Sequence, residues 1–160
     1  MRLGYNTNGL AHHRWDDAIA VIAAAGYQSV AITIDHHCLA PHSPTFRDDL
    51  ARMRALLDRC GLHCVIESGA RYLLDPCRKH QPTLLSPMEA EREVRLEFLR
   101  QCVDIAVALN ADAVSFWSGT PVDDAEEERL WMRLGDGCRR LTDYAAKKSM
   151  RLAFEPEPGM

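Results

Sequence analysis

Side chains able to move a proton, bind a metal ion or hold a sugar hydroxyl recur at regular places in this sequence. Each stands at the end of a short apolar run. RLGYN (2–6) ends in Asn6, and SVAITID (29–35) ends in Asp35, followed by His36 and His37. LHCVIE (62–67) ends in Glu67, ADAVSFW (111–117) carries Ser115 and Trp117 ahead of Ser118, and RLAFE (151–155) ends in Glu155, with Glu157 two residues on. Carboxylates can take up and return protons, and they ligate hard divalent cations through oxygen. Turns and helix caps also favour such residues, so Asp35 alone is open to either reading. Glu155 leans towards chemistry. It leaves an apolar run directly and precedes Pro156, which favours extended geometry in the residue before it.

Other groupings are less specific. The segment 68–86, SGARYLLDPCRKHQPTLLS, carries Arg71, Arg78, Lys79 and His80. It is longer than most connections, and such segments either bind ligands or lie solvated on the surface. Its cations suit a phosphate or carboxylate. His36-His37-Cys38-x3-His42 has zinc-ligand residue types, but its spacing does not match a paired-ligand knuckle. His12-His13 reads as the start of a helix. Trp117 can stack on a sugar ring or fill space, with packing slightly favoured.

Strand ends become a site only if the strands lie side by side and point the same way. Between the apolar runs lie helical periodicities. Trp15, Ala18, Ile19 and Ile22 recur up to Gly26. Ser43-Pro44-Thr45 precedes Leu50, Met53, Leu57 and Cys60, stopped by Gly61. Ser86-Pro87-Met88-Glu89 reads as N-cap, first-turn proline and capping-box glutamate, ahead of Phe98, Cys102, Ile105 and Leu109. Asp123 and Glu126 can cap a last helix carrying Leu130, Leu134, Cys138, Leu141 and Ala145. The order βαβαβαβαβ means an α/β fold with a parallel sheet and right-handed crossovers. YNTNGLAHH lacks GxGxxG, and no GxxxxGK[ST] occurs, which removes the markers of a nucleotide-binding open sheet. The expectation is a (βα)8 TIM barrel, with residues 1–160 as the N-terminal part of one domain, truncated after strand five. Four units take about 150 residues here, and eight need about 250 or more.

Net charge is −4, with 47% hydrophobic and 26% charged residues, ordinary for a soluble domain. The acidic balance argues against nucleic acid as the main partner. No apolar run approaches the ~20 residues of a membrane span, and the N-terminus lacks a signal-peptide core, so a cytoplasmic protein is expected. Six cysteines without a CxxC pair then read as reduced, mostly buried thiols.

Four stretches, MRLGYNTNGL, AGYQSVAITID, ESGARYLLDP and LAFEPEPGM, resemble the xylose-isomerase-like superfamily of sugar phosphate isomerases and epimerases. The resemblance covers the whole chain but only the first half of that barrel. It implies a divalent metal (Mn, Mg, Co or Zn), with Glu155 matching the family's first ligand and serving in catalysis, and further Asp, His and Glu ligands beyond Met160. In the chemistry it implies, the metal polarises a sugar carbonyl and a metal-bound carboxylate moves the proton. Asn6, Asp35, Glu67, Arg71 and Trp117 are the expected contacts to a sugar or sugar phosphate. Two alternatives remain at this point. One is a non-catalytic metabolite-binding barrel or partner-assembled half-barrel; the other is a phosphodiesterase similar to apurinic endonucleases, which the acidic balance disfavours. The 160 residues alone are expected to be inactive, and an open strand-five edge is expected to favour self-association.

Overall fold

Val30, Ile32 and Ile34 are fully buried, whereas Ala31 between them is only half-buried. This alternation organises the molecule, because residues two apart on a strand face the same side. The structure, a computed structural model, describes residues 2–156. Its strands are β1 (Gly4–Asn6), β2 (Ser29–Thr33), β3 (His63–Glu67), β4 (Val114–Phe116) and β5 (Leu152–Phe154). They form one sheet in the order β1-β2-β3-β4-β5, and every neighbouring pair is parallel. The helices are α1 (Trp15–Ala24), α2 (Phe46–Cys60), α3 (Glu89–Leu109) and α4 (Glu127–Ala146), with a 3-10 turn at Thr7–Leu10.

Sequential strand order is the barrel arrangement, not the 3-2-1-4-5 order of an open doubly wound sheet. The helices agree. α1 packs on α2, α2 on α3 and α3 on α4, so they form one layer on one face of the sheet. Between that layer and the sheet lies the core. Val30, Ile32, Cys64, Ile66 and Val114 come from the strands, and Ile19, Ile22, Met53, Leu57, Phe98, Leu99, Cys102, Ile105 and Leu141 from the helices. Side chains singled out by helical spacing on α1, α3 and α4 lie in this core or against it, and so do Leu50, Met53, Leu57 and Cys60 on α2. No helix among the described residues is long and apolar enough to cross a membrane.

The caps of the last two helices differ from expectation, whereas α2 starts directly after Ser43-Pro44-Thr45. α3 begins at Glu89 with Met88 as its N-cap and no side-chain cap. Ser86 Oγ instead accepts from Thr83 N at 2.9 Å, and Arg92 Nη1 donates to the Ser86 and Pro87 carbonyls at 2.8 and 2.9 Å. α4 likewise has Glu126 at its N-cap without a side-chain bond. Gly61 does close α2, in the left-handed conformation at φ 63. The cysteines are free thiols. Cys38, Cys64 and Cys102 are buried, and burial pushes Cys38 and Cys102 up to about 12.

Gly119, just after β4, sits at φ +81, and a Cβ there would collide with the Thr83 side chain. Gly61 has the same sign of φ, but nothing lies within 4 Å of its would-be Cβ. Gly61→Ala should therefore cost only the left-handed backbone term, about 1 kcal/mol. Gly119→Ala adds overpacking and should cost more than about 2 kcal/mol. Urea denaturation of both variants checks this; equal losses would contradict the packing of Gly119 on Thr83.

Candidate active site at the strand C-termini

Register places the polar residues. Thr33 pairs with Glu67 and Glu67 with Ser115, one level across β2, β3 and β4. Asn6 pairs with Ala31, and Ser115 with Ala153. Cα partners in a parallel sheet share a face, and residues two apart on a strand share it too. Asn6, Thr33, Glu67, Ser115 and Glu155 therefore all belong to the face away from the helices.

On that face Glu67 is held from two strands. Asn6 Nδ2 donates to Glu67 Oε2 at 2.5 Å, and the Thr33 hydroxyl donates to the same oxygen. Thr33 Oγ1 also lies 2.9 Å from Asn6 Oδ1. Its single proton serves one acceptor at a time, and the charged carboxylate is the stronger. Thr33 is itself fixed. Its backbone N–H donates to Thr7 Oγ1 at 3.0 Å, and a Cβ on Gly69 would lie 2.6 Å from Thr33 Cγ2, so a glycine lets the loop close over it. Among the described residues, Glu67 Oε1 accepts no side-chain hydrogen bond and remains open to a ligand.

A cavity of about 300 Å³ opens beside it, lined by Glu67, Ser68, Gly69, Ser115, Trp117 and Glu155 on the strand side and by Asn8, Arg71, Lys79 and His80 on the loop side. This is the lower end of the size of small-molecule pockets. The Glu155 backbone N–H continues the ladder to Phe116 O at 2.8 Å, while among the described residues its exposed carboxylate meets only Ser115 Oγ, at 3.3 Å. His80 stands edge-on to Trp117, with ring centroids 5.6 Å apart. Its Nδ1 lies 2.9 Å from Gly69 O. A carbonyl only accepts, so Nδ1 carries the proton.

Buried arginines hold the loops around this cavity. The Arg133 guanidinium donates to Leu85 O and to both Asp123 carboxylate oxygens, each at 2.9 Å, tying the loop after β3 to the loop after β4. Arg95 is fully buried, donates to Ser68 O at 3.0 Å, and lies 5.4 Å from the Phe98 ring. Burial pulls its guanidinium down to about 10, and its Nη1 and Ser68 Oγ lack partners among the described residues.

The structure brings Glu67, Arg71, Trp117 and Glu155 to one cavity and Asn6 against Glu67. Asp35 is not among the lining residues. β2 ends at Thr33, and Asp35, itself buried, frames a turn of exposed His36 and His37 through paired backbone bonds with Cys38, its Oδ1 accepting from His36 N at 2.7 Å. Glu157 and Met160 lie outside the described residues. Thr33 was missed by reading SVAITID as uniformly apolar; its offset of two from Ala31, the partner of Asn6, is the signal that finds it. Among the described residues no three His, Cys, Asp or Glu side chains converge to hold a metal ion. Glu155 fits one position of a coordination shell; the described residues do not make up a shell.

The Arg133 pair holds the Asp123 carboxyl below its ordinary 3.8, chiefly by hydrogen bonding. A depressed carboxyl contributes stability that is present above its unfolded value and lost as pH falls through the folded one. The stability deficit of Asp123→Asn should therefore be constant from about pH 7 to 5 and shrink below about pH 4. Urea midpoints across that range test it; a deficit undiminished at about pH 3 would contradict the pairing.

Comparison with known proteins agrees with this architecture. No curated relative matches the sequence. A D-tagatose 3-epimerase-like protein superposes with a TM-score of 0.78 at 15% identity, covering 100% of this chain and 54% of the other. A D-psicose 3-epimerase solved in the presence of D-fructose gives 0.71 at 16%, covering 95% and 51%. The 3-keto-D-glucoside 4-epimerase of E. coli gives 0.74 at 12%, covering 99% and 57%. This chain thus spans about half the length of those structures, and at such identities the likeness speaks for the fold. The profile of the xylose isomerase-like TIM barrel matches residues 19–160, nearly the whole chain, and the chain belongs to that family.

Proposed function

We propose that residues 1–160 form the N-terminal part of a single barrel domain whose active site isomerises or epimerises a sugar beside its carbonyl. The observation that carries this is the placing of Glu67 and Glu155 on one cavity with Trp117 at the strand C-termini. Catalytic groups in barrels of this kind stand at that end of the strands. Glu155, exposed and weakly engaged, is the base that removes the carbon-bound proton; it returns it to the neighbouring carbon from the same face in an isomerisation, while an epimerisation needs a second acid on the opposite face. Glu67 Oε1 accepts a substrate hydroxyl, with Asn6 and Thr33 fixing the other oxygen. Trp117 offers an apolar surface to sugar C–H groups. Asp35, buried beside its turn and outside the cavity lining, takes no part. Glu155 is suited to be one ligand of a divalent ion, which when bound polarises the carbonyl oxygen; the other ligands belong to chain outside the described residues. The structural neighbours named as sugar epimerases support the choice of substrate class.

The edge strands support a companion expectation. Leu3, Tyr5 and Phe154 are exposed, which suits pairing with the rest of a barrel or with a second copy.

The test is hydrogen exchange in D2O with Mn²⁺ and a panel of ketoses and ketose phosphates, followed by proton NMR. A longer reading frame containing these residues should exchange the hydrogen next to the carbonyl and form the epimer or isomer. Glu155→Gln should lower that rate by about 10²-fold or more, and residues 1–160 alone should give no turnover. Sugar binding without exchange would make this a binding module, and an undiminished rate in Glu155→Gln would remove the base. Turnover by the 160 residues alone would show the site misplaced.

A further inference from the structure

The cavity has two poles. Glu67 and Glu155 form one, and Arg71 and Lys79 line the same cavity from the loop after β3. The loop is closed at its neck, since His80 N donates to Arg71 O at 2.5 Å. Residues 71 and 79–80 are thereby brought together although eight or nine positions separate them in the sequence. The His80 ring, fixed between Gly69 O and Trp117, keeps that neck against the strand ends.

The cations of this loop are used differently. Arg78 is turned away from the cavity and paired with Asp75 at 2.7 Å and Glu91 at 3.0 Å. Arg71 and Lys79 are ion-paired with no carboxylate among the described residues. Arg71 Nη2 donates to the neutral Asn8 Oδ1, which orients the guanidinium without neutralising it. Asn8 is positioned in turn by its backbone N–H to Asn6 Oδ1 at 2.7 Å. An oriented guanidinium and a flexible ammonium, both uncompensated at the mouth of a polar cavity, suit a small oxyanion. A neutral sugar gives them nothing to neutralise.

Building on the proposed sugar chemistry, we infer that the substrate is an anionic sugar derivative. Its phosphate or carboxylate is held by Arg71 and Lys79 at the cavity mouth, and its hydroxyls and carbonyl reach Glu67 and Glu155. The anion is the shared chemistry, and a sugar phosphate and a sugar acid are its two sources.

Direct binding tests this without any turnover. Calorimetry or ligand NMR on the chain would use inorganic phosphate, D-fructose 6-phosphate, D-gluconate and neutral D-fructose as probes. Phosphate and at least one anionic sugar should bind more tightly than D-fructose, with affinity falling as salt rises. Arg71→Met and Lys79→Met should each weaken the anions about fivefold or more, as expected for a charge-assisted contact. D-fructose should lose less affinity than the anions in both variants. Arg47→Met, an exposed cation on α2 away from the cavity, is the charge-matched control and should change nothing. Preference for D-fructose 6-phosphate over D-gluconate would assign the phosphate source, and the reverse the carboxylate source. Lys79 is exposed, so its variant decides the matter even if Arg71→Met misfolds. Equal binding of anionic and neutral probes, or equal affinity in wild type and Lys79→Met, would overturn the inference. Sugar turnover by the longer chain would still stand in that case. Anion binding without any turnover would leave the subsite and remove the proposed reaction.

Discussion

One carboxylate oxygen joins the first three strands at the mouth of the sheet. Glu67 Oε2 receives Asn6 from the end of β1 and Thr33 from the end of β2, while Glu67 itself ends β3. Two donors on one oxygen of a half-buried carboxylate hold the side chain in place, and charge-assisted bonds of this kind are the stronger ones. The arrangement exists only in the register observed. A slip of one residue in β2 would turn Thr33 towards the helices and Ile32 into the cavity. The same oxygen that locks the strands leaves its twin facing the ligand space, so strand register and site geometry depend on one group.

A second set of constraints fixes the walls. The segment after β3 has no regular structure up to α3, yet much of its far half is buried, including Gln81, Thr83, Leu84, Leu85 and Ser86. Its backbone groups are satisfied by side chains: Leu85 O by Arg133, Ser86 O by Arg92, Ser68 O by Arg95. A buried guanidinium without a carboxylate is costly. Arg95 is tolerated because α3 presents it to a carbonyl and to the Phe98 ring. The near half, residues 71–80, is more exposed and carries the cations. A rigid far half and a tethered neck place those cations at the cavity.

Much of this was legible in the sequence, for identifiable reasons. Apolar runs alternating with 3.6-residue periodicities marked β1 to β5 and α1 to α4, because burial against a parallel sheet demands both patterns. Glu67 and Glu155 stood out as carboxylates leaving apolar runs. The caps of α3 and α4 did not read correctly, because a polar side chain near a helix N-terminus has competing partners. Ser86 Oγ took the Thr83 N–H, and Asp123 took Arg133, which lies far along the next helix. Asp35 ends the apolar run SVAITID, but β2 stops two residues earlier and Asp35 opens the turn over His36 and His37 that Cys38 closes. Thr33 and Asn8 act through partners tens of residues away, 34 for Thr33 with Glu67 and 63 for Asn8 with Arg71, a relation that no local pattern contains.

The contact of Asn6 with Glu67 ties β1 to β3, and a double-mutant cycle in urea measures it directly. Asn6 also caps the 3-10 turn through Asn8 N, so Asn6→Ala alone mixes two losses. The cycle with Glu67→Gln separates them. A coupling of at least about 1 kcal/mol between Asn6→Ala and Glu67→Gln is the predicted result. Additivity to within about 0.3 kcal/mol would mean that the two side chains do not hold each other, and that the strand ends are not organised around Glu67.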